Sequence, residues 1–150
     1  MECTKTFLQI LQETGCLIYT TRGVSMRPLL RQGKDVVVIE TPKEPCKKYD
    51  TVLFLRPNGK YVLHRILKDF GDQYWIVGDN CVSGETVRRD QIIGVMTSVK
   101  RGRRTIRVTD WHYRLYTHIW CDNYPVRFFL LRIKNFVWRG LRCVKRRLLR

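Results

Sequence analysis

The stretch DTVLFLRPNGKYVLHRIL, Asp50 to Leu67, decides how the chain reads. Two runs rich in Val, Leu, Ile, Phe and Tyr flank Pro57-Asn58-Gly59. An Asn-Gly pair between β-type runs is the strongest short-range signal for a hairpin. Within the second run the side chains alternate, so Val62, His64 and Ile66 fall on one face and Leu63 and Arg65 on the other. A histidine on an apolar strand face is more often a hydrogen-bonded core residue than a base. Its role depends on what the rest of the chain brings to it.

The same punctuation continues on both sides. CLIYTT (16–21) and DVVVIE (35–40) precede the hairpin; QYWIVG (73–78), QIIGVMTSV (91–99) and RTIRVT (104–109) follow it. Seven short β runs separated by turn residues, with no helix-length pattern between them, predict a mainly β fold, a small antiparallel sheet wrapped toward a barrel. Thr4 to Glu13 reads as a short amphipathic helix capped by Thr4, with Phe7, Leu8 and Leu11 on one side and Gly15 ending it. After Thr109 the period turns helical. Asp110 is the expected cap of the first segment, and Pro125 opens a second. In the second, Val126, Phe129, Leu130, Ile133, Val137, Leu141, Val144 and Leu148 form one apolar face, with Arg127, Lys134, Arg139, Arg142, Lys145 and Arg146 opposite. The expected organisation is a core over 1–109 (helix 4–14, β region 16–109) and a basic helical tail over 110–150.

Charge follows that division. The chain of 150 residues has a formal net charge of +16. Residues 101–150 hold 14 Lys and Arg against 2 Asp and Glu, whereas residues 1–100 hold 15 against 11. The six cysteines form no CxxC pair and no Cys/His pair at ligand spacing, so no zinc or other metal site is expected. With no secretory leader in MECTKTFLQILQETG, they read as reduced thiols. No apolar run reaches the roughly 18 residues of a membrane span, since Arg127, Arg132 and Lys134 interrupt VRFFLLRIKNFVW. A cytoplasmic location, or a peripheral one on the inner membrane face, is the expectation.

Two further stretches bear on chemistry. GVSMRPLL, Gly23 to Leu30, sets Ser25 in a turn-like context with Met26 and Pro28 behind it. Taken alone, a turn serine is the simpler reading. GDNCVSGE, Gly78 to Glu85, predicts a turn at a strand end with Asp79 and Asn80 in it. In order along the chain, GVSMRPLL, KYDTVLF, YVLHRIL, YWIVGDN and IIGVM resemble the boxes of the signal peptidase I and LexA-like serine peptidase superfamily. The likeness spans about Gly15 to Val99. Each box is weak by itself; the ordered set is specific.

The resemblance implies a serine endopeptidase. Ser25 would be the nucleophile, and His64 stands where most bacterial members carry a lysine, so the chain looks like the endoplasmic-reticulum type with a Ser-His pair. An imidazole, with an ordinary pKa of ~6.5, suits a base near neutrality. Its acidic partner would be Glu85, or else Asp79, with Asp79 otherwise supporting the turn and Arg65 ion-paired away from the chemistry. The Ser25 N–H would serve the oxyanion. Gly23 takes the place where some relatives add a serine hydroxyl, while Met26, Pro28 and Asn80 shape the site. Two departures stand out: Gly33-Lys34-Asp35 interrupts the usual Gly-Asp, and NCVSGE replaces a fuller Asn/Asp pattern. No cofactor is implied. The expected partner is a leader or signal peptide lying extended beside a strand.

Such signal peptidases carry a membrane helix and LexA-type relatives a helix-turn-helix, and neither is expected here. The tail lies outside the likeness. Its physics allows a helix pair docked on the core, an anchor on an anionic membrane surface, or a phosphate-binding face for nucleic acid. From another functional class, the alternative is a non-catalytic or self-cleaving LexA-like regulatory module that binds nucleic acid through the tail.

Overall fold

The computed structural model describes residues 5–43, 45–123, 125–134 and 136. Among them, eight antiparallel strands form one open sheet in the order β1-β2-β7-β3-β4-β5-β6, with β8 on β7. The strands are β1 (Cys16–Thr20), β2 (Asp35–Glu40), β3 (Thr51–Leu55), β4 (Tyr61–Asp69), β5 (Gln73–Val77), β6 (Gly84–Arg88), β7 (Ile92–Arg101) and β8 (Arg104–Arg107). The mainly β expectation holds at that level. The expected hairpin is β3–β4, in register Leu55 to Tyr61, with Gly59 at φ 77° closing the loop. That positive φ is why glycine follows asparagine there.

One strand was not expected. β6 (GETVR) pairs with β5 so that Glu85 lies opposite Ile76. Its only buried residue is Val87, too little apolar signal for an edge strand to declare itself.

The sheet is packed on both faces. Leu11, Leu17, Val37, Ile39, Leu53 and Met96 form one apolar cluster; Val52, Phe54, Ile66, Tyr74, Ile76 and Val87 form the other. Burial on both sides explains the near-continuous β-branched runs. It also means that the two faces of β4 are equally enclosed: His64 and Arg65 are both buried. At the far end of β2, buried Asp35 is bonded by Arg31 and Arg101. Burial opposes its charge, but the two guanidiniums prevail and hold the carboxyl down at about 2.

The helices require three corrections. Thr6, not Thr4, caps α1 (Phe7–Thr14), because Gln9 three residues on completes a reciprocal capping box; Thr4 itself lies outside the described residues. Gly15 ends α1 in the left-handed region, as expected. Asp110 stands at the N-cap of α2 (Trp111–Asp122) without a side-chain capping bond, since its carboxylate accepts the Arg107 N–H instead. α2 docks by Tyr113, Thr117 and Cys121. In the helical stretch 125–134 the expected apolar face is not the buried one: Val126, Phe129, Leu130 and Ile133 are exposed, Arg127 and Leu131 are buried, and Lys134 is exposed as expected. Arg127 packs over the Trp120 ring, which keeps the guanidinium inward. Val137, Trp138, Arg139, Leu141, Arg142, Val144, Lys145, Arg146 and Leu148, with Cys3 and Cys143, lie outside the described residues. The four described cysteines, Cys16, Cys46, Cys81 and Cys121, are free thiols.

Candidate active site

The serine box folds as a wound loop between β1 and β2. Gly23 takes φ 86°, the Arg27 N–H donates to the Val24 carbonyl, and the Leu30 N–H to that of Met26. Met26 and Leu30 are sunk in the core and fix the loop from beneath. The Arg27–Pro28 bond is cis. Ser25 remains half-buried.

The second contributor arrives from the end of β5. Gly78 to Cys81 form a turn closed by the Cys81 N–H on the Gly78 carbonyl. Asn80 ties this turn to the serine loop twice, through its N–H on the Ser25 carbonyl (2.7 Å) and its Nδ2 on the Val24 carbonyl (3.1 Å). Lys134 Nζ in turn donates to Asn80 Oδ1 at 2.7 Å. Thus segments more than fifty residues apart are joined by main-chain and amide bonds beside the serine.

Gly78 marks the closest approach. A Cβ added there would stand 2.8 Å from the Ser25 carbonyl oxygen, 3.0 Å from His64 Nε2 and 2.7 Å from Cys81 Sγ. Any side chain at 78 would push between serine and histidine, so the glycine is a steric requirement of the site. Ser25 and His64 also line one cavity of about 390 Å³, together with Arg22, Arg56, Tyr61 and Leu63.

His64 therefore presents Nε2 toward the serine loop and Nδ1 away from it. Glu85 Oε1 lies 3.5 Å from Nδ1, beyond a full hydrogen bond, and Nδ1 has no bonding partner. The Glu85 carboxylate is taken up by Arg56, whose Nε and Nη2 reach it at 2.8 and 2.5 Å. Burial holds the imidazole below its ordinary pKa; the Glu85 charge opposes that, and Arg56 reinforces it. A neutral ring at neutral pH follows. Such a ring can accept a proton.

Asp79, the other carboxylate left open by the sequence, is committed elsewhere. Its two oxygens take the Arg65 Nε and Nη2 at 2.9 and 2.8 Å, with both side chains fully buried. Tyr116 Oη donates to Asp79 Oδ2, and Trp120 Nε1 to the Asp79 carbonyl. Arg65 Nη1 donates to the Tyr49 carbonyl and to Tyr113 Oη. The turn beneath Ser25 is thus braced from α2.

Of the eight residues expected at the site, Ser25, His64, Gly23 and Met26 line the cavity and Glu85 adjoins His64. Asn80 staples the serine loop, Pro28 sits at its far end, and Asp79 supports the turn through Arg65. Sequence reasoning missed Arg56, Gly78 as spacer, and the Tyr116 and Trp120 braces. None of these carries a local pattern, although Arg56 just past a strand end beside a hairpin turn was the most accessible clue. Among the described residues no group of three His, Cys, Asp or Glu side chains is arranged to hold a metal ion. No protein-family model matches the chain, and no curated protein matches it.

Proposed function

We propose that the protein is a serine endopeptidase of the signal peptidase I and LexA-like kind, its sheet the β core of that superfamily, cleaving a leader or signal peptide. The observation that carries this reading is that Ser25 and His64 line one cavity, with the Ser25 carbonyl and His64 Nε2 both close against Gly78. His64 Nε2 accepts the Ser25 hydroxyl proton as Oγ attacks the peptide carbonyl carbon. The Ser25 N–H stabilises the oxyanion. When the C–N bond breaks, the imidazolium returns the proton to the leaving amine. Water then attacks the ester, His64 takes its proton, and Ser25 recovers it as the acid product leaves. Among the described residues β1 pairs with β2 alone, and its other edge suits an extended peptide beside the cavity.

The base sets the pH dependence. Because His64 titrates below the ordinary imidazole value, kcat/KM for a cleaved library peptide should stay high through neutrality. It should fall only below about pH 6.5, as the folded ring takes up its proton. An acid limb centred above about pH 6.5 contradicts His64 as base.

A second reading concerns location. Trp111, Leu115 and Ile119 form an exposed stripe on α2, and Phe129, Leu130 and Ile133 are exposed on 125–134 beside Arg132 and Lys134. Apolar side chains flanked by cations suit the headgroup boundary of an anionic membrane better than the phosphates of nucleic acid, which offer nothing to bury them. No described helix is long and apolar enough to cross a bilayer. The full chain should pellet with phosphatidylserine vesicles at low salt, and Leu115→Asp with Phe129→Asp should release it. Absence of pelleting, or preferential retention on duplex DNA, overturns the membrane reading.

A further inference from the structure

Among the described residues, the cavity that holds Ser25 and His64 is walled by two arginines, Arg22 and Arg56, and by no acidic side chain. Arg22 is exposed at its rim. Arg56 is partly exposed, its side chain retaining 35% of its surface, so a molecule in the cavity can reach it. An arginine fork exposed in a cleft prefers a carboxylate, which accepts two parallel bonds from it.

That fork is already occupied, and by the residue His64 lacks. Both Glu85 oxygens lie on Arg56, while Nδ1 of His64 is buried, without a bonding partner, and 3.5 Å from the same carboxylate. The acid is therefore held one short movement away from the base it would orient. The other groups facing His64 cannot substitute. Asp79 is closed off by Arg65 and Tyr116, and the Cys81 thiol lies on the Nε2 side, where burial keeps it protonated.

We propose that the cleft selects peptides bearing an Asp or Glu near the scissile bond, and that this carboxylate takes Arg56 from Glu85, freeing Glu85 to close on His64 Nδ1. This rests on the peptidase reading and adds to it a substrate class and an activation step. Arg56 is a positioning residue: it acts on the base through Glu85. An acidic substrate thus completes the Ser25–His64–Glu85 arrangement by ion-pair exchange, and a neutral peptide leaves it incomplete.

The test uses the full-length chain carrying Ser25→Ala, which binds without turnover. Its probes are the peptides acetyl-Ala-Glu-Ala-amide and acetyl-Ala-Gln-Ala-amide, with the His64 ring titration followed by NMR. The Glu peptide should bind about fivefold more tightly than the Gln peptide, the upper end of what one partly exposed charge pair gives. It should also raise the His64 midpoint, which the Gln peptide should not. Adding Arg56→Gln should raise that midpoint without any peptide, as loss of its charge alone would, and should abolish both the Glu over Gln preference and the further rise on adding the Glu peptide, which loss of that charge alone would not. Equal binding of the two peptides, binding of neither, or a His64 midpoint indifferent to Arg56→Gln overturns the proposal. Failure of the wild-type chain to cleave any peptide is a separate result, and it overturns the peptidase reading instead.

Discussion

Asp79→Asn should cost about 3–5 kcal/mol of stability, the largest loss expected from any single polar substitution in the described core. Arg65 is fully buried, and its guanidinium is held charged, against the cost of burial, by the Asp79 carboxylate. Replacing that carboxylate by an amide leaves the buried guanidinium with hydrogen bonds to neutral groups, the Tyr49 carbonyl and Tyr113 Oη. Domains of this size are stable by only ~5–15 kcal/mol, so the urea midpoint should fall by a large fraction. Removing both charges together, as in Arg65→Met with Asp79→Leu, should recover most of the loss, because a buried pair costs more to break than to replace. A single Asp79→Asn variant within ~1 kcal/mol of wild type would show that the turn beneath Ser25 does not depend on this pair.

Ser25→Ala should act in the opposite way, leaving stability almost unchanged and removing turnover. The side chain is half-buried and small, so the unfolding midpoint should move by no more than ~0.5 kcal/mol. Cleavage of a peptide library should fall by at least ~10³-fold, the loss that accompanies removal of an acylating nucleophile. His64→Ala should lose a comparable factor, and the double variant should be hardly worse than either single one. Nucleophile and base act as one unit, so their effects do not multiply. Residual cleavage within tenfold of wild type after Ser25→Ala would remove the serine from the chemistry.

Much of this arrangement is legible in the residues, but unevenly. The β3–β4 hairpin and the strand runs around it declare themselves by apolar pattern and by Asn58-Gly59. β6 does not, because an edge strand with one buried residue depends on β5 to be a strand at all. The stretch 125–134 is periodic enough to be recognised as helical, yet periodicity defines a stripe without saying what it faces. Here Arg127 and Leu131 turn inward and the apolar stripe outward. In the site, the ordered boxes single out Ser25 and His64 but not their proximity, which depends on Gly78 and Asn80 closing against the serine loop. Between Asp79 and Glu85 the sequence leans only narrowly to Glu85. The structure commits Asp79 to Arg65, on the neighbouring position of β4, and Glu85 to Arg56, 29 residues before it, which no local pattern links to it.

The central claim is that Ser25 Oγ is made nucleophilic by His64. Intact-mass spectrometry after exposure of the full chain to a fluorophosphonate probe tests it most directly, since the probe phosphonylates an activated serine without needing the right peptide. One adduct is expected, mapped to Ser25, absent from Ser25→Ala and formed at least ~10²-fold more slowly in His64→Ala. A wild-type chain left unmodified, or labelled at the same rate after His64→Ala, contradicts it.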